Sequence, residues 1–566
     1  FNEYDQGPHA QFGNVRAVIE LASAANQSGS KRTLCEAYGG SGWDLRFEDM
    51  KRIGDWLYAL GVNTLDQHLS YITMRGARKY DYPPSFSYHE PWWDSYHVMA
   101  QYFTRLSAAL SRGEPVAEIL LIEPTTTAWM YQTEADKAKL EEIGNSFQKL
   151  VTDLAQAQVE FDLGSEDIIA RQGVVEGAGL RVGKRVYTTV VIPPHTETLD
   201  AKTVDLLHAF ADAKFSLLSM GEPTLQLVDG RPSEKAASLI GRAKAVSIDE
   251  LISQWFGDTQ ETRVEVTAPD TGVVYHLRRR FDDGDILFLA NTRNDVQATI
   301  RIRSQAKSVQ KWSLESGAVE PLAFDTPGDI TEVLAPSGSR LLFLNASETA
   351  VGTATQIGNA TQVPATANSL EIARIAPNVL TLDYLDLKIG DKEYLKQYMY
   401  AAARLAFQSV GLPEDPWDHA VQFNDELIRM AFPDDSGFEA TYHFNVHGAV
   451  PGALHAVVER PDLYAITCNG VPVTATPGEW WLDRAFGKID ITKALHEGDN
   501  TLTLKASPMT MHHEIAAVYI LGDFALEPAD SGHVIVAPAA LQLGAWNTQG
   551  YPFYAQGVSY KQRFNV

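Results

Sequence analysis

An acidic residue at the end of an apolar strand pattern is the group in this sequence best placed for chemistry. Glu36 lies in the strand pattern 32–38, which leads into the glycine-rich loop 39–42. Burying a carboxylate costs free energy unless the group is paired or its pKa shifts. Active sites form at the carboxyl ends of barrel strands, so Glu36 is a candidate catalytic group. The alternative is a structural carboxylate in an ion pair.

The next strand pattern, 62–69, also ends in polar residues, namely Asp66, Gln67 and His68. The carboxyl ends of parallel strands lie along one edge of a sheet or barrel, where ligands bind. We therefore expect this second polar cluster to lie in the same place as Glu36.

A loop rich in aromatic residues follows. The loop contains the ring-bearing residues Tyr80, Tyr82, Phe86, Tyr88, His89, Trp92 and Trp93. Sugars present apolar C–H faces and hydroxyl edges, and flat rings with polar tips suit both. Pro83-Pro84 would hold the loop rigid. The alternative is a local aromatic core beneath a loop.

Three further clusters receive structural interpretations. The aromatic–acid runs 479–483 and 544–546 occur in sugar-binding sandwiches, but most tryptophans of a β-sandwich are core residues, which we favour here. His512, His513 and Glu514 could indicate a metal. Adjacent residues of a strand face opposite sides, so only His512 and Glu514 could share an ion, and we favour a site without metal.

The elements that must position these residues are helices and strands in alternation. Residues 1–112 give helical patterns at 14–26, 47–60 and 95–111 between the strand patterns 32–38 and 62–69. This order implies parallel strands. Residues 116–256 repeat it and indicate an open doubly wound sheet. The glycine fingerprint of a dinucleotide site is absent there, so no cofactor is assigned.

From about residue 263 the hydrophobic period changes to two, which predicts a small β-sandwich. Strands are predicted at 273–279, 285–290, 298–302, 310–314 and 339–344. A linker and a final β-domain follow, with helical spacing at 385–409. The predicted domain boundaries are 1–113, 114–260, 261–346, the linker 347–368, and 369–566.

Composition restricts the function classes. The 566 residues include 72 acidic and 47 basic side chains, for a net charge of −25, which argues against a nucleic-acid binder. No apolar run reaches the ~18 residues of a membrane span. Cys35 and Cys468 form no disulfide framework.

The two ends of the sequence suggest a piece of a longer polypeptide. Phe1 is not an initiator Met, and the strand pattern 560–566 looks cut short.

A family resemblance covers most of the chain. The run 34–43, with Asp55-Trp56 and 61–63, resembles the end of the catalytic barrel of family 106 glycoside hydrolases, the α-L-rhamnosidases. His68 and the run 83–93 strengthen the match, which is strongest in 32–131 and weak between 140 and 330. The late runs 480–483 and 498–500 resemble that family's sugar-binding-like sandwich.

The resemblance implies a multidomain α/β plus β fold. Its parts are the C-terminal part of a (β/α)8 barrel (1–113), an amidotransferase-like doubly wound α/β domain, and then β-sandwich domains. It also implies an inverting mechanism with two carboxylates and a need for calcium, whose ligands are not assigned. An inverting pair stands roughly 6.5–9.5 Å apart, with pKa values pushed apart. By resemblance Glu36 is the general base, and the general acid lies on an earlier strand outside this chain.

The resemblance extends to the sugar pocket and the partners. Gln67 and His68 are expected to bind sugar hydroxyls, with Tyr38, Trp43, His89 and Trp92 lining the pocket. The expected partners are a rhamnose-containing glycoside or polysaccharide and the remaining N-terminal part of the same polypeptide. A bacterial periplasmic or secreted location is implied.

Two other functions remain open. The chain could be a non-catalytic carbohydrate-binding piece, or a retaining glycosidase of β-galactosidase type with Glu36 as nucleophile. The anomer of the first product separates inversion from retention, and an aryl glycoside panel separates the substrates.

Overall fold

The computed structural model describes residues 14–80, 85–255, 262–269, 272–347, 363, 365–366, 369–418 and 424–564. The chain forms two compact units. One contains the residues up to Leu69 together with Ser95–Gln356, and the other contains Ser70–Asp94 together with the residues from Ile357 on. The segment 70–94, which the predicted boundary placed with the barrel part, therefore belongs with the carboxyl-terminal unit.

The first unit begins with alternating helices and strands. In chain order they are α1 (Val15–Ser28), β1 (Leu34–Ala37), α2 (Phe47–Ala59), β2 (Thr64–Gln67) and α3 (Tyr96–Leu110). β1 and β2 pair in parallel, which confirms the predicted arrangement. Helix α2 carries a stripe of buried residues that includes Met50, Ile53, Trp56 and Leu57, at the spacing that predicted it.

The next part of the first unit is built on a parallel sheet. Its elements are β3 (Glu114–Pro115), β4 (Ile119–Ile122), α4 (Thr125–Trp129), α5 (Lys137–Gln156), β5 (Phe161–Gly164), α6 (Glu166–Gln172), β6 (Gly173–Glu176), β7 (Gly179–Val182), β8 (Arg185–Tyr187), β9 (Thr189–Ile192), β10 (Thr198–Leu199), α7 (Ala201–Asp212), β11 (Ser216–Met220), β12 (Leu227–Val228), β13 (Arg231–Pro232), α8 (Glu234–Ile240), β14 (Lys244–Val246) and α9 (Ile248–Trp255).

Five of these strands pair in parallel in the order β14-β11-β9-β4-β5. All four residues of β4 and of β5 are buried, as expected for a parallel sheet with both faces covered. The predicted parallel α/β pattern is confirmed here. Smaller antiparallel pairings join β6, β7 and β8.

Antiparallel strands complete the first unit. They are β15 (Thr262–Ala268), β16 (Val274–Phe281), β17 (Gly284–Asn291), β18 (Ala298–Ser304), β19 (Ser308–Trp312), β20 (Val319–Leu322), β21 (Asp329–Leu334) and β22 (Ser339–Asn345). They form the sheets β15-β18-β21 and β20-β19-β22-β17-β16-β3. All five strands predicted here are present. Most of the predicted linker 347–368 lies outside the described residues.

The second unit is mostly antiparallel. Its elements are β23 (Glu371–Arg374), β24 (Asn378–Leu382), β25 (Tyr384–Ile389), β26 (Lys392–Tyr398), α10 (Met399–Ser409), α11 (Asp425–Ile428), β27 (Phe438–Val446), β28 (His455–Glu459), β29 (Ala465–Cys468), β30 (Val471–Val473), β31 (Trp480–Trp481), β32 (Asp483–Asp490), β33 (Gly498–Ala506), β34 (Val518–Gly522), β35 (Ala525–Pro528), β36 (His533–Val536) and β37 (Val558–Lys561).

A five-stranded sheet, β24-β34-β28-β32-β31, and an eight-stranded sheet supply the core of this unit. The helical prediction for 385–409 is wrong in its first half, because 384–398 is the hairpin β25–β26. Leu385 and Leu387 are buried there at alternate positions, which is the strand period. Only α10 keeps the helical spacing.

None of the described helices is long and apolar enough to cross a membrane. Cys35 and Cys468 are free thiols, and both are buried.

Candidate active site

Burial alternates along β1 and defines two faces. Cys35 and Ala37 are buried, whereas Leu34 is 55% exposed and the Glu36 side chain is 61% exposed. The expectation that Glu36 is a buried carboxylate is therefore wrong. No described residue covers this face closely enough to bury Leu34, so the exposed face includes an apolar side chain as well as the carboxylate.

The register of β1 and β2 brings a second carboxylate to Glu36. Glu36 pairs with Asp66, and Ala37 pairs with Gln67. Register partners of parallel strands project to the same face, so the exposed Asp66 lies beside Glu36. Asp66 was noted in the sequence as part of a polar cluster, but no role was predicted for it. The pairing register of β1 and β2 is the observation that places Asp66 beside Glu36.

His68 lies at the end of β2 and contacts Glu36. Its Nε2 is 3.3 Å from Glu36 Oε1, and its backbone amide donates to the carbonyl of Ala37 at 2.8 Å. The amide bond continues the strand pairing past Gln67 and thereby holds the imidazole at the strand end. Because both side chains are partly exposed, solvent weakens the contact to the ~0–1 kcal/mol of a surface pair.

The other three predicted residues of this unit are buried or half-buried. Tyr38 is 2% exposed and donates its hydroxyl to the carbonyl of Met50 at 2.9 Å, which is a packing contact, and its role as a sugar contact stays a prediction. The Gln67 side chain is half-buried and hydrogen-bonds to the Tyr96 hydroxyl at the start of α3. Trp43 is half-buried in the turn before α2.

His89 and Trp92 belong to the second unit. His89 is buried, with Nε2 2.7 Å from Asp483 Oδ2 and Nδ1 2.8 Å from Ser87 Oγ. Both ring nitrogens have hydrogen-bond partners within this unit, and the role of His89 in a sugar pocket stays a prediction. Trp92 is half-buried, and its ring meets Phe86 edge to face at 5.7 Å between centroids.

The aromatic loop is a mixture of core and surface. Phe86 is buried, whereas Tyr88 and Trp93 are exposed. Trp480, which we expected in the core, is 41% exposed and lies edge to face with Tyr88. It lies on the edge strand β31, where one side has no neighbouring strand among the described residues. Pro83-Pro84 lies outside the described residues, so the predicted rigidity stays a prediction.

A buried carboxylate of the second unit holds this loop. Asp483 accepts hydrogen bonds from His89 Nε2, the Met74 amide (2.7 Å), the Thr73 hydroxyl (3.0 Å) and the Ala485 amide (2.7 Å). Burial raises the pKa of Asp483, but these donors outweigh burial and lower it to about 2. No sequence pattern predicted this contact, because His89 and Asp483 are 394 residues apart.

A second carboxyl group in the loop has the opposite shift. Glu90 is buried, and burial raises its pKa to about 7, although a hydrogen bond from the Ser85 amide acts to lower it. The contrast with Asp483 follows from the number of donors each carboxyl group receives.

Comparison with known proteins identifies the family. The sequence profile of the α-L-rhamnosidases, glycoside hydrolase family 106, matches residues 5–326, which is more than half of the chain. The chain belongs to this family. The predicted membership is thereby confirmed, and with it the class of glycoside hydrolases.

Individual relatives of this family 106 chain are distant. A Formosa agariphila protein, provisionally named a beta-glucuronidase, is 23% identical over 353 residues, covering 59% of this chain and 28% of its own. A rhamnosidase structure from Novosphingobium sp. PP1Y aligns with a TM-score of 0.44 and 16% identity, covering 89% of this chain and 49% of its own. A family 42 β-galactosidase structure from G. stearothermophilus aligns with a TM-score of 0.40 and 11% identity, covering 60% and 58%. The family 106 chain thus spans less than half the length of the first two.

The calcium implied by the family resemblance finds no ligand set in the described residues. Among them, no group of three or more His, Cys, Asp or Glu side chains is placed to hold a metal ion. His513 Nε2 donates to the Leu463 carbonyl, and His513 Nδ1 accepts from the Thr510 amide. Glu514 pairs with Lys79. The structural interpretation of the run 512–514 fits these contacts.

Proposed function

We propose that this chain carries the general base of an inverting α-L-rhamnosidase, and that Glu36 is that base. The observation that carries the proposal is the exposed Glu36 carboxylate at the carboxyl end of β1, beside His68, in a chain of the α-L-rhamnosidase family. A base must reach a water molecule, and the exposed face of β1 leaves the carboxylate able to do so.

The proposed reaction is hydrolysis by single displacement. Glu36 takes a proton from a water molecule, whose oxygen attacks the anomeric carbon of the rhamnose as the bond to the leaving oxygen breaks. The leaving oxygen takes a proton from a general acid that lies outside this chain. His68, in contact with Glu36, favours one orientation of the carboxylate. Asp66, on the same face, accepts hydrogen bonds from the sugar hydroxyls.

We further propose that the remaining part of the same polypeptide completes a (β/α)8 barrel around β1 and β2. In the described chain these two strands pair only with each other. Parallel strands are normally covered on both faces, but Leu34 is exposed here. The chain also spans only 49% of the Novosphingobium rhamnosidase. Added strands would bury Leu34 and bring the general acid to the roughly 6.5–9.5 Å expected of an inverting pair.

The other proposed properties follow the family. The parallel sheet around β4 and β9 corresponds to the amidotransferase-like domain, and the sheets of β15–β22 and of the second unit to the β-sandwich domains. The substrate is a rhamnose-containing glycoside or polysaccharide, and the enzyme acts in the periplasm or outside a bacterial cell. Calcium remains an expectation without assigned ligands.

The test is a panel of aryl glycosides with the complete polypeptide that carries this chain. We expect release of the aryl group from the α-L-rhamnoside and not from the β-galactoside or β-glucuronide. Proton NMR at early times should show the inverted anomer of rhamnose first. Cleavage of the galactoside or glucuronide alone would exclude the proposed substrate, and a retained anomer would make Glu36 a nucleophile or remove it from the reaction.

A further inference from the structure

The segment 73–89 is fastened to the carboxyl-terminal domain by three acidic side chains. Asp483 binds the Met74 amide, the Thr73 hydroxyl and His89. Asp483 is 1% exposed, so these donors replace the water that the carboxylate would otherwise bind.

The other two carboxylates bind the middle of the segment. Glu459 accepts from the Gly76 amide at 2.7 Å through Oε1 and from Lys79 Nζ at 2.6 Å through Oε2. Glu514 pairs with the same Lys79 at 2.8 Å. The Glu459 and Lys79 side chains are 11% and 14% exposed, so solvent screens this pair less than a surface pair. We call Asp483, Glu459 and Glu514 the carboxylate anchor.

The segment that the carboxylate anchor binds follows β2, a strand of the proposed active site, in the chain. The segment lies within the stretch Ser70–Asp94. Ser70 follows His68 by two residues, and Asp94 precedes Tyr96, whose hydroxyl binds Gln67, by two residues. A restraint on the segment therefore restrains the chain on both sides through covalent connection alone. Hydrogen bonds that involve a charged group are stronger than those between neutral groups, so we expect them to limit the motion of the segment.

We propose that Asp483 is a positioning residue for the rhamnosidase reaction, acting through the Met74 amide and His89 on the segment that follows the Glu36–His68 strand ends. The carboxyl-terminal domain is then a required part of the catalytic architecture rather than a separable sugar-binding module. The effect of Asp483 on turnover rests on the proposed function. The binding of the segment by Asp483 can be measured without any substrate.

The test compares Asp483→Asn with a matched control in the same domain. Asp386 also accepts from a histidine Nε2 (His443, 2.9 Å) and from a backbone amide (Lys396, 2.7 Å), but it lies in the surface hairpin β25–β26. Asp386→Asn therefore makes the same chemical change where the segment 73–89 is not bound. Hydrogen exchange at the Met74 and Gly76 amides and kinetics on an aryl α-L-rhamnoside are measured for both variants of the complete polypeptide.

We expect Asp483→Asn to raise exchange at Met74 at least about tenfold, because it removes the charge from several hydrogen bonds. We expect kcat/KM to fall by a similar factor, mainly through kcat, with the pH profile unchanged. Asp386→Asn should change neither. Unchanged exchange in Asp483→Asn, or faster exchange with normal kcat/KM, would overturn the positioning role.

A milder variant covers the case in which Asp483→Asn does not fold. Thr73→Val is close in shape and removes the 3.0 Å hydroxyl donor to Asp483, together with the hydroxyl acceptor of the Arg75 amide. It should produce the same two effects at smaller size, and a normal rate with normal exchange would again count against the proposal. If the unsubstituted enzyme cleaves no rhamnoside, the proposed function fails and the positioning role fails with it, whereas the exchange data still decide whether the carboxylate anchor holds the segment.

Discussion

Glu36 and Asp66 are register partners in the parallel pair β1–β2, so their two carboxylates project from the same face of the sheet at neighbouring positions. Only Glu36 is joined to His68, whose Nε2 lies 3.3 Å from its carboxylate. The two acids are therefore not equivalent, although both are exposed. This difference is the structural basis for assigning proton transfer to Glu36 and sugar contact to Asp66.

Glu36→Gln should lower kcat by about 10²–10⁴-fold, because an amide cannot accept the proton of the attacking water. Substrate binding should change little, since the amide has almost the same size. Steady-state kinetics on an aryl α-L-rhamnoside measures the first effect and calorimetric titration with rhamnose the second. Glu141→Gln, at an exposed position of α5, is the control and should behave as the parent enzyme. A near-normal kcat for Glu36→Gln would remove the base assignment.

His68→Ala should lower kcat by about two- to fivefold, the effect of losing one partly exposed contact. His68→Gln should keep more of the rate, because its amide can still donate to the Glu36 carboxylate. The comparison of the two variants by kcat is the measurement. Equal losses in both would show that the imidazole ring, and not the hydrogen bond, carries the role.

Glu90→Gln should stabilise the protein at alkaline pH. The pKa of Glu90 is raised to about 7 in the folded state, so the folded chain keeps this proton to higher pH than the unfolded chain. The stability that the protonated group provides is present below about pH 4.5 and is lost as pH rises toward about 7. A glutamine has no proton to lose.

Thermal unfolding at pH 4.5 and pH 8 measures this difference. The melting temperature of Glu90→Gln relative to the parent should rise between the two pH values, whereas exposed Glu497→Gln should show no such rise. A constant difference for Glu90→Gln would mean that the carboxyl group is ionised with no cost.

Asp483 should show the opposite dependence. Its pKa is lowered to about 2, so its stabilising contribution is complete above about pH 4 and is lost as pH falls toward 2. Asp483→Asn should therefore lose stability at pH 6 but approach the parent protein near pH 2. Urea unfolding across this range is the measurement, and a loss independent of pH would argue that packing, not charge, is what Asp483 provides.

Gly54→Ala should destabilise the protein by about 1–3 kcal/mol. Gly54 lies in α2, where an added methyl group would overlap the ring of Phe103 and crowd Leu65 of β2. Gly144→Ala in α5 is the matched control, because nothing lies within 4 Å of its added methyl group. That change should stabilise by about 0.5–1 kcal/mol through helix propensity. Urea unfolding of both variants tests the contrast, which fails if the two changes have the same sign.

The sequence predicted elements better than environments. Apolar residues such as Ile53 and Trp56 repeat at the helical period in α2, and this period is visible without a structure. The sequence does not show that polar residues of α2, such as Arg52 and Asp55, are buried as well. The segment 385–409 misled because its apolar residues satisfy both a strand and a helix period. Tyr38 and His89 show a second limit of the sequence, because both are buried and hydrogen-bonded. A residue type that suits a sugar also suits a buried hydrogen bond, and only the fold shows which partner it has.

The division of the chain into two units has a consequence for how the protein is made. Residues 70–94 leave the ribosome well before their acidic partner Asp483, which follows His89 by 394 residues. During translation the polar groups of the segment stay in water until Asp483 has emerged. For the same reason, a gene fusion that replaced residues 357–566 by a foreign domain would remove the carboxylates that bind the segment. We therefore expect this domain and the segment to be inherited together.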